Sequence, residues 1–362
     1  MLHSDAALRS GLLPLRTATC LRAFLAIVGA LAIAGCDDRD VREPSLWDEP
    51  VTPGERTWLA DEWKMDWSFG GAADTLLHNP NILRAWHGGL LVWDAGSVRL
   101  HSFDRDGSHR WSFGSPGSGP DELAQVLDLQ VGSRGQAFLN DQGNRRVTVV
   151  GPEGDVEQRI PLPGLPHSSS FAVLSDTLLA FVATSEREEP VRILDLEGRT
   201  VRRQNVPWTG FSELTSLSRQ GVVAARGDRW VYAFALGNGW FPFRGAASTG
   251  FLGGYVEHLD FPRLVERGGG SGRVLQMVER PSCSACALSL TDSLVVIHFG
   301  GDSELNRRIL DLHLWEDGRY LGSHLLPHAA RRAVRLGDRV YTLKETPYPV
   351  LNALRLRPPP RR

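Results

Sequence analysis

The side chains with the widest chemical range in this 362-residue sequence are four cysteines and eleven histidines. Two of the cysteines, Cys283 and Cys286, stand three positions apart in the run Pro-Ser-Cys-Ser-Ala-Cys that ends at 286. In an exported chain such a pair is expected to close as a small structural disulfide, with free thiols or a redox couple as the alternatives. A redox couple at this spacing sits at a helix N-terminus within a βαβ unit, and no such pattern surrounds this one. Ala287 follows Cys286 where haem attachment needs His, and no second cysteine pair is present to complete a zinc site. His258, His298 and His313 form no pair at a spacing that compels a metal site. His298 closes an apolar run, Ser-Leu-Val-Val-Ile-His, and is expected to pack with its ring nitrogens satisfied. A nucleophile elbow and a Walker loop are both absent. The glycine-rich stretch at 268–272 leads into no helix and reads as an inter-strand loop. The chain thus offers binding residues more readily than a catalytic constellation.

The composition narrows the partners. Lys plus Arg number 40 against 42 Asp plus Glu, a net charge of −2, and only Lys64 and Lys344 are lysines. Without a basic field or a long basic run, nucleic acid is not an expected partner. The 38 glycines, 22 prolines and 11 tryptophans suit turns and aromatic packing better than long helices. Trp240, Phe241 and Phe243 are accordingly expected to fill packing layers, with a ligand-facing role as the alternative.

The N-terminus carries a compartment signal. Arg9, Arg16 and Arg22 precede twelve apolar residues, 24–35, which stop at Cys36. At about 1.5 Å per residue such a run covers about 18 Å, short of the roughly 30 Å hydrocarbon core. The segment therefore reads as a cleaved secretory signal. Its end, Ile33-Ala34-Gly35-Cys36, resembles the lipobox of bacterial lipoproteins, which implies cleavage before Cys36 and acylation of that residue. Acyl chains contribute about 0.8 kcal/mol per buried CH₂, so more than one chain anchors the protein without a second membrane element. Asp37 and Asp38 resemble the signal that retains enterobacterial lipoproteins on the inner membrane; the expected location is the extracytoplasmic cell envelope, on the inner or the outer membrane. Residues 37–55 are acidic, contain three prolines and read as a flexible tether. Removing 1–35 takes away three basic residues and one acid, leaving 37 against 41, a net of −4.

Beyond the tether, short β-rich runs alternate with turn clusters, and a repeat emerges. Residues 90–114 and 137–160 align, each with a strand ending in Asp, a tight turn, an alternating strand and a Gly-centred hairpin. Asp94 and Asp141 hold the same repeat position, 47 residues apart. Weaker copies lie at 191–203, 230–245, 307–325 and 340–358. A blade length of about 40 to 50 residues divides 56–358 into six or seven units, and the hairpins number six. The expected architecture is all-β, a six-bladed β-propeller over 56–358. It follows a signal peptide (1–35) and a lipidated Cys36 with its tether (36–55), and a short tail (359–362) ends the chain. The strand near 350–356 and one near 58–69 are expected to share a blade and close the ring. The period is obscured over 204–290.

Two turns carry a family resemblance. Gly119-Pro120-Asp121-Glu122-Leu123 and Asp141-Gln142-Gly143-Asn144-Arg145-Arg146 are similar to the turns of NHL-type repeats and of six-bladed propeller lipoproteins of bacterial envelopes, over residues 90–160. Read locally, Asp141 and Asn144 bond backbone amides, the glycines supply positive φ, and Arg145 or Arg146 reaches a neighbouring blade's carboxylate or carbonyls. Some propellers of this resemblance hold calcium or zinc in the central channel, which makes Asp94 and Asp141 the candidate metal ligands; the expectation from the residues themselves is no cofactor. The leading functional reading is a lipid-anchored, monomeric binding or scaffolding module for an envelope protein, peptide or glycan. A metal-dependent lactonase- or lyase-like enzyme and a purely structural envelope component are the alternatives.

Overall fold

The computed structural model describes residues 39–41, 55–165, 170–206, 208–237, 239–248, 252–256, 263–269, 272–279, 283–345 and 347–357. Residues 1–35, read above as a signal peptide, Cys36, His258 and the residues after 357 lie outside them. Six four-stranded antiparallel sheets follow one another along the chain. They are blade 1 (80–113), blade 2 (126–161), blade 3 (171–204), blade 4 (221–248), blade 5 (283–325) and blade 6 (332–357 with 62–70). The first strand of each blade is the innermost: Pro80–Trp86, Val126–Val131, Phe171–Leu174, Gly221–Arg226, Cys283–Leu290 and Arg332–Leu336. Each inner strand lies against the next, and the sixth lies against the first, so the ring closes around a central channel. This is the expected six-bladed propeller.

The strand sequences follow their radial positions. The second strands of blades 1 and 2, Gly89–Asp94 and Ala137–Asp141, are covered on both faces and buried at every residue, hence their unbroken apolar character. The outermost strand of blade 2, Val156–Pro161, alternates between covered and exposed positions because only one face meets a neighbour. Each blade alone would leave both of its faces wet, and stacking buries them in shared apolar clusters between blades. Trp240, Phe241 and Phe243 are fully buried in those clusters, and Phe243 stacks on Trp230 with ring centroids 3.9 Å apart.

A repeated contact joins successive blades. Trp67 Nε1 donates to the Arg105 carbonyl (2.8 Å), Trp111 Nε1 to the Pro152 carbonyl (2.7 Å) and Gln158 Nε2 to the Leu196 carbonyl (2.8 Å). In each case an outer-strand side chain reaches the hairpin of the following blade. The hairpin glycines are required by this packing: a Cβ on Gly107 would stand 2.8 Å from the Trp67 ring, and one on Gly154 2.9 Å from Trp111.

The two ends of the chain meet as expected. Glu62–Gly70 pairs antiparallel with Val350–Arg357 and completes blade 6. Just before it, the Leu59 amide donates to the Ser323 carbonyl (3.0 Å) and the Ser323 amide to the Thr57 carbonyl (2.8 Å), and Arg56 pairs with the buried Asp311 (3.1 Å), tying the entering chain to blade 5. The obscure stretch contains an insertion between blades 4 and 5. The hairpin Arg263–Gly269 and Gly272–Glu279 forms a separate sheet with Arg39–Val41. The segment read as a free tether is therefore paired over these three residues, because the hairpin edge presents unpaired backbone donors and acceptors.

Candidate binding site in the central channel

Asp94 and Asp141 act as the matching staples of blades 1 and 2. Asp94 Oδ2 accepts from the His78 amide (2.5 Å), and Oδ1 accepts from the amides of Asn79 (2.8 Å), Gly96 (2.8 Å) and Ser97 (3.3 Å). Asp141 Oδ1 accepts from Ala124 N (3.2 Å) and Gln125 N (3.0 Å), and Asn144 Nδ2 donates to Oδ2 (2.6 Å). Each carboxylate thus ties the turn after its strand to the loop entering the inner strand of the same blade. A Cβ on Gly143 would stand 2.6 Å from the Ala124 Cβ, so only glycine lets this turn approach. Arg146 donates to the carbonyls of Gly119 (2.8 Å) and Glu122 (2.7 Å), in the loop that leads into its own blade rather than in a neighbouring one. Arg145 supplies instead a backbone at φ 51°. The oxygens of Asp94 and Asp141 thus already accept from backbone amides and the Asn144 side chain. Among the described residues no group of three or more His, Cys, Asp or Glu converges.

Cys286 carries a free thiol, so the disulfide expected with Cys283 is not formed here. Both residues lie on one extended strand, Cys283–Leu290. At about 3.3 Å per residue, positions three apart are separated by roughly 10 Å, beyond a disulfide's reach. The Cys286 thiol instead donates to His298 Nδ1 (2.9 Å), and His298 Nε2 donates to the Arg307 carbonyl (3.2 Å). Burial pushes the thiol up to about 11 and the imidazole down to about 3, so the pair is neutral at physiological pH. His313 is likewise buried, with Nδ1 donating to the Gly318 carbonyl (3.2 Å).

The chemistry that sequence reading did not single out lies in the channel. At the end where the inner strands finish, all six blades line a cavity of about 440 Å³. Its wall includes Arg84, Trp86, Asp176, Arg226, Ser289 and Arg335. The Trp86 indole N–H is buried there without a partner. At its floor, Arg84 Nη2 donates to Asp128 Oδ1 (2.8 Å). Asp128 also accepts from the amides of Leu129 (2.8 Å) and Phe171 (3.2 Å) and from Gln130 Nε2 (2.9 Å). Burial pushes the Asp128 carboxyl above the usual carboxylate range, against the opposing pull of Arg84 and these hydrogen bonds. Burial also lowers Arg84; the Asp128 charge opposes that shift, and the nearby Arg332 charge adds to it.

Strand alternation, read more closely, carries the signal for this floor. In Val126-Leu-Asp-Leu-Gln-Val131 a carboxylate and an amide recur every second residue inside an apolar strand. Arg84 sits in the same way in Pro80–Trp86.

No protein-family model matches the chain, and no curated protein matches it. Solved structures do. A virginiamycin B lyase from Staphylococcus aureus is 12% identical, with 82% of this chain covering 100% of that one at a TM-score of 0.50. A Bacteroides fragilis protein assigned as exported is also 12% identical, with 82% of this chain covering 96% of that one at a TM-score of 0.51. At such identity the likeness is one of fold, a β-propeller in each case. No helix among the described residues is long and apolar enough to cross a membrane.

Proposed function

We propose that this protein is a lipid-anchored, extracytoplasmic binding module that receives an envelope ligand at the mouth of its propeller channel. The observation that carries this reading is the cavity itself. It has the volume of a small-ligand site, six rigid strand ends surround it, and it mixes an aromatic wall with convergent polar groups. Trp86 supplies an aromatic face to that wall. Acylation of Cys36 would hold this disc at the membrane, with the segment up to Arg56 as the leash. The enzyme reading asks for a divalent ion held near Asp94 and Asp141, and those carboxylates already cap backbone amides.

Equilibrium binding tests the proposal, using full-length protein purified from membranes and fractionated peptides and glycans of the same envelope. Saturable binding to one fraction, weakened by Trp86→Ala, is the expected result. Equal binding by the variant, or no saturable ligand in any fraction, would overturn it. Anchorage has its own test: Cys36→Ala should abolish labelling by radioactive palmitate and release the protein from the membrane pellet, and unchanged labelling refutes the anchor.

A further inference from the structure

The cavity wall carries Asp176, which bonds Ser133, but the arginines at the floor are not matched one for one by carboxylates. Asp128 is the acceptor for Arg84, and its oxygens are also occupied by two backbone amides and Gln130. Arg332, on the inner strand of blade 6, which lies beside that of blade 1, donates through Nη1 to the Arg331 carbonyl (2.9 Å). Its guanidinium also lies against the Cys286 thiol. Among the described residues no carboxylate pairs with Arg332. It is two residues before Val334, a cavity-wall residue, and so stands on the same strand face, about 7 Å farther along the channel. The nearby Arg84 leaves its Nε buried and unbonded. Arg84 and Arg332 thus bring two guanidiniums to adjacent inner strands, and the one carboxylate among these groups is spent on Arg84. A guanidinium drawn partly out of water without a counter-charge is disfavoured, and a bound anion would offset that cost.

We propose that the floor of the cavity is an anion site in which the carboxylate of a small organic acid sits between Arg84 and Arg332, with the rest of the ligand filling the cavity above. The planar fork of a guanidinium matches a carboxylate's two oxygens, which favours this shape over a spherical halide. The volume of about 440 Å³ admits a sugar acid or a short acylated amino acid. This inference rests on the binding reading of the same cavity and gives it a ligand class.

The test is a titration of the full-length protein in detergent with sodium galacturonate and, separately, with N-acetylalanine. Sodium chloride holds the ionic strength constant, and intrinsic tryptophan fluorescence and thermal melting are recorded together. At least one acid should give a saturable response in both readouts that its methyl ester does not; whichever acid gives it identifies the source of the carboxylate. Arg332→Gln should weaken that response about 10- to 100-fold, as loss of a charge-assisted bond requires. Arg332→Lys, which keeps the charge and removes the fork, should fall between. Arg199→Gln, whose arginine is paired with Asp195 on the outer hairpin of blade 3 and away from the cavity, should bind like wild type. If Arg332→Gln does not fold, the lysine variant and the ester comparison still decide. No saturable response to either acid, an equal response to the ester, or unchanged binding in the folded Arg332 variants would overturn the proposal. Should envelope ligands still bind under those outcomes, the carboxylate assignment fails while the binding reading stands.

Discussion

Asp128→Asn isolates the electrostatics on which the channel depends. The substitution is nearly isosteric, so it leaves packing alone, but it strips Arg84 of its counter-ion where the two side chains are only 14% and 7% exposed. Removing one member of a buried ion pair costs about 3–5 kcal/mol, because the partner stays charged in a poor solvent. The amide also presents one acceptor oxygen and two donors to a site in which four donors converge on the carboxylate. For a domain of this size about 2 °C of melting temperature accompanies each kcal/mol, so a fall of about 6–10 °C is expected in differential scanning calorimetry. Asp292→Asn breaks an ion pair whose carboxylate is 82% exposed and should barely move the transition. Adding Arg84→Met to Asp128→Asn should cost little more, since the stranded cation is then gone, and the two changes should be clearly non-additive. Equal melting for Asp128→Asn and Asp292→Asn would refute the claim that the channel interior is dry enough for one charge to matter.

Three further outcomes follow from the same geometry. His298, with its pKa held down to about 3, stays neutral in the fold while the unfolded chain takes up a proton near 6.5. Stability should therefore fall as pH drops from 6.5 towards 3, by about 1.4 kcal/mol per pH unit from this group, with buried His101 (about 4) adding in the same direction above pH 4. His298→Gln should flatten that slope in melts between pH 5 and 7, and an unchanged slope would count against the assignment. Cys286, raised to about 11, holds about one thiolate in ten thousand thiols at pH 7, so in a Cys283→Ser background iodoacetamide should label it slowly until the protein unfolds; rapid native labelling would contradict the neutral Cys–His pair. Asp141→Ala strands two backbone amides and Asn144 and should destabilise by about 2–4 kcal/mol in urea, whereas dialysis of the wild type against EDTA should leave its midpoint unchanged. A midpoint that falls with EDTA would return Asp141 to the role of metal ligand.

What was legible in the sequence was whatever repeats or pairs locally. The 47-residue spacing of Asp94 and Asp141 survives as two copies of one staple, and the hairpin glycines remain as the floor beneath Trp67 and Trp111. The shared final blade was legible too, because the first and last strands each lacked a sequence neighbour to pair with. Contacts made across the ring were hidden. Arg84, Asp128 and Arg332 come from three blades, and no spacing along the chain relates them. Cys286 and His298 meet because a bulge between Ala285 and Ala287 shifts the register of two adjacent strands, a geometric detail that composition does not encode. The hairpin at 263–279 obscured the period because it is an insertion with its own sheet and belongs to no blade. Local turn chemistry is written in consecutive residues; channel chemistry is assembled only when the ring closes.

The most direct test of the account is a hydrogen-exchange comparison of the full-length protein with and without a saturating envelope ligand. Added protection should concentrate where the inner strands end around the cavity, at Ala85–His87, Gly132 and Ser133, Arg226 and Gly227, and Arg335 and Leu336, with the outer strands unchanged. Protection confined to the outer strands or the hairpin loops would place the ligand on the rim of the disc and contradict the channel as the binding seat.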